Sequence, residues 1–393
     1  MVEHYRPAWV EVDLGALRAN ARVLAELCAP AALCAVVKAD AYGHGAVAAA
    51  RALLEGGASA LAVALVEEGV ALREAGIDAP ILLLSEPPEA AMAAAAAARL
   101  TVTLYRPEGV LAARRGARAA RARLSVHVKV DTGMHRVGAD PEDLLAVAAA
   151  VAAAPELELD GLWSHLAVAD DPGDPFTGEQ LARFARARAR LAGAGLAPRL
   201  AHIANSAGAI AHPATRLDWV RCGLACYGEL PAPALAAPLA AQLRPGEALT
   251  PVLSLKARVH LVRELEAGER TSYGRAYLLE ERSRVAVVPI GYHDGVPRAL
   301  FAAGGEVLVG NRRCRIAGAV TMDQLLVDCG PGTTVAPGDE VVLIGRQGDE
   351  AIRAHEWARW LGTIPYEVLC GIGPRVPRQC VPGDTPAATS TQR

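Results

Sequence analysis

The chain is poor in lysine. Of 40 basic residues only three are lysine, Lys38, Lys129 and Lys256, so arginine serves wherever a plain positive charge suffices and a retained lysine calls for its own reason. Lysine can lose its proton when desolvated and form a Schiff base with a carbonyl, which arginine cannot do. Excess charge is also lacking: a net −3 leaves no electrostatic pull toward nucleic acid or an anionic membrane. No stretch of about 20 residues is free of charge and helix-breaking punctuation, and Met1–Trp9 lacks the basic start and apolar core of a signal peptide, so no membrane span or secretion is expected. The eight cysteines (28, 34, 222, 226, 314, 329, 370, 380) form neither zinc-ligand pairs nor a secreted disulfide framework. Reduced, buried thiols in a cytoplasm, and no metal centre, are the expectation.

What is present is a 52% hydrophobic chain of 393 residues, too long for one ordinary domain. Between about residues 15 and 230, short apolar runs alternate with Ala/Leu/Arg helical stretches. Strands are expected at 33–37, 61–65, 81–84, 100–104, 124–130, 157–163, 202–204 and 219–222. Eight strands separated by helices is the count of a (β/α)8 barrel. The helices show apolar spacing at Leu17, Val23, Leu24 and Leu27, and at Leu181, Phe184 and Leu191; the alanine-rich run 89–99 is also expected to be helical. After a Pro/Ala-rich stretch, 231–251, alternating β-branched segments at 253–262, 285–290, 307–309, 324–328 and 340–344 indicate a mainly antiparallel β domain. The expected domains are 1–240, with its first dozen or so residues pairing with the β domain, and 241–382, followed by a disordered tail at 383–393. Lys256, with no motif around it, reads as a surface residue.

In a barrel of this kind chemistry gathers at the C-terminal ends of the strands. The unusual residues fall there: Lys38 after the first strand, Arg136 after the fifth, His165 after the sixth, Asn205 and Ser206 after the seventh, and Arg221 on the eighth. Lys38 leaves a strand and is followed by Tyr42, Gly43, His44 and Gly45, which suits a carbonyl cofactor bearing a phosphate. The ordinary alternative is a lysine snorkelling at a strand end.

Taken together, AVVKADAYGHG (35–45), VDTGMHRVG (130–138), WSHLA (163–167), HIANSA (202–207), VRCGLACYG (220–228), TSYG (271–274), GYHDGVPR (291–298), TMDQ (321–324) and YEVLCGI (366–372) resemble the alanine racemases nearly end to end. These are fold-type III enzymes dependent on pyridoxal 5′-phosphate. The resemblance implies an isomerase interconverting L- and D-alanine with two bases, because racemisation removes the Cα proton on one face and returns it on the other. Lys38 matches the base for the D-isomer and Tyr273 the base for the L-isomer, the tyrosine entering from the partner subunit of a homodimer. It further implies Arg221 at the pyridine nitrogen, a poor proton donor that favours prompt reprotonation over transamination. His165 matches the histidine that bridges this arginine and the tyrosine, helping to lower a phenol pKa of about 10. Tyr42, Tyr366, Ser206, Gly223 and Leu224 match the phosphate cup, with Asn205 beside it, although Ser206 alone is equally read as a helix cap. Arg136 matches the group that holds the ring oxygen and the substrate carboxylate, assisted by Met322, with Asp323 beside it. Lys129 matches a lysine that is carbamylated in several relatives and pins Arg136; a plain pair with Asp131 is the other reading. A cytoplasmic role in D-alanine supply for peptidoglycan precursors is implied too.

Three places depart from the family pattern. Thr321 stands where cysteine is common, Ala319 where arginine is common, and His293 with Val296 alters the segment around Tyr292 and Arg298. These map to the substrate corridor, with Asp170, so easier access for larger amino acids or inhibitors is expected. Other readings are a racemase of serine or of broader specificity, a basic amino-acid decarboxylase, and a non-catalytic pyridoxal-phosphate carrier. Arg221 speaks against the decarboxylase, which should place a carboxylate at the pyridine nitrogen. The second domain with Tyr273 speaks against the carrier.

Overall fold

A computed structural model describes residues 5–383, which form two compact units. One is Ala16–Thr250; the other combines the described residues before and after it. The tail expected at 383–393 lies outside the described residues except for Gly383.

Strand β1 (Ala8–Asp13) belongs to the second unit, and the first unit holds β2 (Ala32–Val36), β3 (Ala60–Val63), β4 (Ile81–Leu83), β5 (Val102–Leu104), β6 (Leu124–Lys129), β7 (Leu157–Trp163), β8 (Leu200–Asn205) and β9 (Trp219–Cys222). All eight are parallel, in the order β4-β3-β2-β9-β8-β7-β6-β5. The ends of this order meet at the bridge Leu82↔Thr101, where Leu83 N–H donates to the Thr101 carbonyl at 2.9 Å and Thr101 N–H to that of Ile81 at 2.8 Å. The sheet therefore closes as the expected barrel. Strands covered on both faces need short continuous apolar runs, and every residue of β3, β4 and β5 is buried. Between strands, helix Leu14–Cys28 buries Leu17, Val23 and Leu24, and helix Phe176–Gly193 buries Phe184 and Leu191. The run at 89–99 holds a short 3-10 turn, Glu89–Ala91, and helix Met92–Ala97.

The second unit contains β10 (Leu253–Arg258), β11 (Leu261–Leu265), β12 (Arg270–Thr271), β13 (Tyr277–Leu278), β14 (Ser283–Val288), β15 (Glu306–Val309), β16 (Arg312–Ile316), β17 (Leu325–Asp328), β18 (Glu340–Gln347), β19 (Glu350–Ile352) and β20 (Arg378–Val381). Its main sheet runs β11-β14-β17-β16-β15-β18-β10-β1-β20 and is antiparallel except for the β1–β20 pair. The single strand expected at 253–262 is two: Val259 N–H donates to Asp339 and His260 N–H to Val287, so the chain changes neighbours between them. No glycine or proline marks that change. β16 is unexpected, because Arg312, Arg313 and Arg315 hide its alternation. Arg313 is held by ion pairs to Glu306, Glu350 and Glu356, while Cys314 and Ile316 face inward.

Two expectations need correction. Lys256 is not a plain surface residue: its side chain is 16% exposed, and Nζ lies 2.8 Å from Glu11 and 3.4 Å from Glu340, tying β1, β10 and β18 across one face. Six cysteines are buried, but Cys370, at the end of helix Pro365–Cys370, and Cys380, within β20, are exposed. No helix among the described residues is long and apolar enough to cross a membrane.

Candidate active site

In the barrel unit, Lys38 directly follows β2 and opens a turn of unusual hand. Ala39, Asp40, Ala41 and Tyr42 all have φ between 52° and 55°, four consecutive residues in the left-handed region. Left-handed backbone costs an L-residue roughly 1–2 kcal/mol, so the turn must be held from outside. Glu68 supplies one clamp, accepting the N–H groups of Ala39 at 2.6 Å, Ala64 at 2.8 Å and Leu65 at 3.1 Å. Asp40 supplies another by accepting Ala46 N–H at 2.7 Å. The result fixes Tyr42, buried and packed on Tyr227 with ring centroids 5.0 Å apart.

Arg221, on β9, is 3% exposed, and no carboxylate among the described residues pairs with it. Its Nη2 donates to the carbonyls of Ser164 (2.9 Å) and Ile203 (3.1 Å) and to His165 Nδ1 (3.2 Å), and its Nη1 donates to His202 Nδ1 (2.8 Å). The guanidinium also lies 4.5 Å above the Trp163 ring. Burial lowers its pKa to about 10, so it remains a cation at neutral pH. Because guanidinium only donates, both histidines must accept at Nδ1 and carry their proton on Nε2. His202 Nε2 then donates to His127 Nδ1 (2.8 Å), and His127 Nε2 to Asp160 (3.4 Å), which Arg199 also grips at 2.8 and 3.1 Å. A directed chain of hydrogen bonds thus runs from Arg221 through the barrel interior to Asp160. The histidines on it are neutral, since burial and then neighbouring charge hold His202 well below its usual pKa, and burial lowers His127. Sequence reading missed His202, His127 and Asp160 as a set; HIANSA includes the first, but nothing local links it to the others.

Lys129 ends β6 and is 3% exposed, with Nζ 4.3 Å from the Trp163 ring centroid. Burial, then Arg221 and Arg136, depress its pKa to about 7. The expected alternative pair with Asp131 is not formed. Asp131 instead accepts the N–H groups of Gly133, Met134 and His135 at 2.8–3.2 Å and pairs with the His135 ring at 3.1 Å. A loop carboxylate with that many local donors is already engaged. His165 is pushed well below its usual pKa by burial and then by Arg221, Lys129, Arg136 and Lys38. The barrel end therefore gathers four cationic side chains around a neutral imidazole. Arg136 itself is exposed.

Ser206 is not the helix cap. Asn205 is, accepting Gly208 N–H at 2.9 Å, while Ser206 Oγ accepts the N–H groups of Gly223 (2.9 Å) and Ala225 (3.4 Å). The Gly223 N–H expected for phosphate is thus donated to Ser206 Oγ, leaving the serine's own hydrogen to donate. A Cβ at Gly223 would stand 2.3 Å from the Tyr42 hydroxyl oxygen, so only glycine lets backbone and phenol converge there. This cradle, with its neighbouring Leu224 and Ser206, and the cationic rim fit a phosphate-bearing ring such as pyridoxal 5′-phosphate.

The remaining expected residues lie in the second unit. Tyr273 opens the single turn Tyr273–Arg275, is 74% exposed, and follows Ser272, whose φ is 62°. Ser272 Oγ donates to the Ala319 carbonyl at 2.7 Å, bringing this turn beside the segment 319–324. There Thr321 Oγ1 donates to the Gln324 carbonyl (2.8 Å) and accepts Gln324 N–H (3.2 Å), presenting Met322 and Asp323 at the tip. A Cβ at Gly291 would collide with the Thr321 and Met322 carbonyls, and Tyr292 and His293 N–H groups donate to those same oxygens. Asp294, fully buried, holds Arg6 and Arg375, and Arg375 reaches Asp323 at 2.7 Å. Neither Asp294 nor Arg375 was singled out from the sequence. Tyr366 sits on helix Pro365–Cys370.

Comparison with known proteins accounts for both units. Residues 12–231 match the family model for the alanine racemase N-terminal domain, and residues 252–380 that for the C-terminal domain. The chain is 46% identical over 373 residues to an alanine racemase of Symbiobacterium thermophilum, covering 95% of this chain and 97% of that protein. The crystal structure of alanine racemase from the D-cycloserine producer Streptomyces lavendulae superposes with a TM-score of 0.88 at 39% identity, over 97% and 98% of the two chains. A histidine racemase from Leuconostoc mesenteroides also matches, with a TM-score of 0.86 at 29% identity, over 96% and 99%. The family's enzymes are isomerases that depend on pyridoxal phosphate and are typically homodimers, and this chain belongs to the alanine racemase family.

Proposed function

We propose that the protein interconverts L- and D-alanine through two bases on opposite faces of the substrate, Lys38 and Tyr273, with Tyr273 contributed by the partner subunit of a homodimer. The observation that carries this is the group of basic side chains, Lys38, Lys129, Arg136 and Arg221, around the neutral His165. Such a rim calls for anions, and an anionic cofactor with an amino-acid carboxylate answers it. Pyridoxal 5′-phosphate, when bound, supplies an electron-withdrawing ring that acidifies the substrate's Cα–H. Tyr42, Ser206, Leu224 and Tyr366 would hold its phosphate, and Arg221 its ring nitrogen.

Arg221 donates a hydrogen bond there without giving up its proton, which limits charge delocalisation and favours return of the proton to Cα. His165, accepting from Arg221 at Nδ1, keeps Nε2–H to donate toward the Tyr273 phenolate. Arg136 would orient the substrate carboxylate, assisted by the Met322 N–H, with Asp323 the third residue assigned to substrate. Lys129 is neutral in about half of molecules near pH 7, the form that adds carbon dioxide, and the resulting carbamate would offset the charges of Arg136 and Arg221. Metal ions have no part in this reading.

The test is absorbance of the purified holoenzyme together with alanine racemisation. Tyr273→Phe should stay yellow and lose about a hundredfold or more in kcat, and Lys38→Ala should lose both colour and activity. Tyr273→Phe at the wild-type rate would overturn the two-base assignment. A yellow wild type inert toward alanine would favour a carrier, or the second reading, a racemase of serine or broader specificity. The histidine racemase neighbour and the small Ala319 favour that second reading.

A further inference from the structure

We propose that Cys314 and Cys329 form a reversible dithiol–disulfide modification site that takes low-molecular-weight disulfides of the glutathione class as its oxidant. β16 and β17 pair Arg315 with Asp328 and Ile316 with Val327, so one step along the same register sets Cys314 opposite Cys329. Cys329 donates its N–H to Arg284 on β14 at 2.9 Å, away from β16. The cysteines therefore occupy a non-hydrogen-bonded position of the antiparallel ladder, where facing Cα atoms are about 4.5 Å apart. That lies within the span of about 4.4–6.8 Å that a disulfide bridges. Both side chains point to the same inner face, where Cys314 Sγ donates to the Arg312 carbonyl and Cys329 Sγ to that of Val327, each at 3.8 Å.

The neighbouring Cys329 thiol, and then the Arg312 guanidinium against the opposing effect of burial, lower the Cys314 pKa and favour Cys314 as the attacking thiol, while its neighbour Cys314 and burial push Cys329 up. Cys28 and Cys222 are both 0% exposed, whereas Cys314 and Cys329 retain 5% and 3%. Exchange begins when the Cys314 thiolate breaks the reagent's S–S bond, forming a mixed disulfide and releasing one reagent thiol. Cys329, its proton lost to solvent, then attacks the Cys314 sulfur and releases the second reagent thiol. The protein gives up two hydrogens and gains one S–S bond, and the reagent takes up two electrons and two protons. The bond would close the loop 314–329 around the segment 319–324. That consequence for substrate rests on the proposed function; the thiol chemistry does not.

The experiment incubates the holoenzyme with oxidised glutathione, quenches with an alkylating agent after denaturation, and maps the cysteines by mass. Exposed Cys370 and Cys380 should take up glutathione and serve as the reagent control. Cys314 and Cys329 should lose alkylation together and appear as one cross-linked peptide pair that dithiothreitol separates. In Cys329→Ser, glutathione should remain on Cys314. Full alkylation of both cysteines in the wild type, or glutathione resting on Cys314 without the cross-link, overturns the proposal. The wild-type map decides the matter even where the serine variant folds poorly.

Discussion

At the scale of single residues, the barrel interior is organised by what each group can donate. Asp160 terminates the chain from Arg221, and the His127 bond followed by Arg199 depresses its pKa to about 2. A carboxylate with a depressed pKa stabilises the fold above its unfolded value of about 3.9 and ceases to as pH falls through about 2. Asp160→Asn should therefore cost about 1–2 kcal/mol at pH 7 in denaturant unfolding, the difference shrinking toward pH 2. Lys129 gives a slope of the same sign in a different window. Its pKa of about 7 lies below the unfolded value of about 10.4, so the unfolded chain binds more protons between them and stability should rise with pH across that window. Lys129→Met should flatten this rise in bicarbonate-free buffer, and an unchanged slope would show that another group titrates. Beyond Arg221 the relay was not readable in advance, since 75 residues separate His127 from His202 and only the closed barrel joins them.

At the scale of elements, the eight barrel strands are legible within two residues because parallel strands buried on both faces must be short apolar runs. β16 was hidden because its outward face is arginine, stabilised by glutamates elsewhere in the chain. The motif around Lys38 was legible as a cofactor site, but its left-handed turn was not, as no glycine marks residues 39–42. Ala39 is exposed there, so Ala39→Gly should relieve backbone strain and leave stability equal or raised by about 0.5 kcal/mol, whereas Ala39→Val should lower it by about 1–2 kcal/mol. Thermal melts of the two variants check this, and the reverse order would show that Glu68 and Asp40 do not carry the strain. In the segment 319–324, Ala319→Arg should shift the ratio of kcat/KM toward L-alanine over L-serine. An unchanged ratio would remove Ala319 from the specificity argument.

At the scale of the whole molecule, the proposed partition of the two bases makes a prediction that no single-chain property gives. Mixing Lys38→Ala and Tyr273→Phe subunits should restore activity, because each hybrid dimer holds one intact pair. Random exchange would give about a quarter of the wild-type sites. Subunits that exchange without recovering activity would place both bases in one chain. β1 was expected only as part of a first dozen or so residues pairing with the β domain, and it lies between β10 and β20 inside the main sheet. The second unit is thus interrupted in sequence, with the barrel inserted after its first strand. During synthesis β1 leaves the ribosome about 240 residues ahead of its antiparallel neighbour, a wait of roughly 10–50 s at ordinary translation rates. Its parallel neighbour comes later still, so the barrel has time to close while β1 waits, unpaired on both edges, for the two strands that complete its place in the sheet.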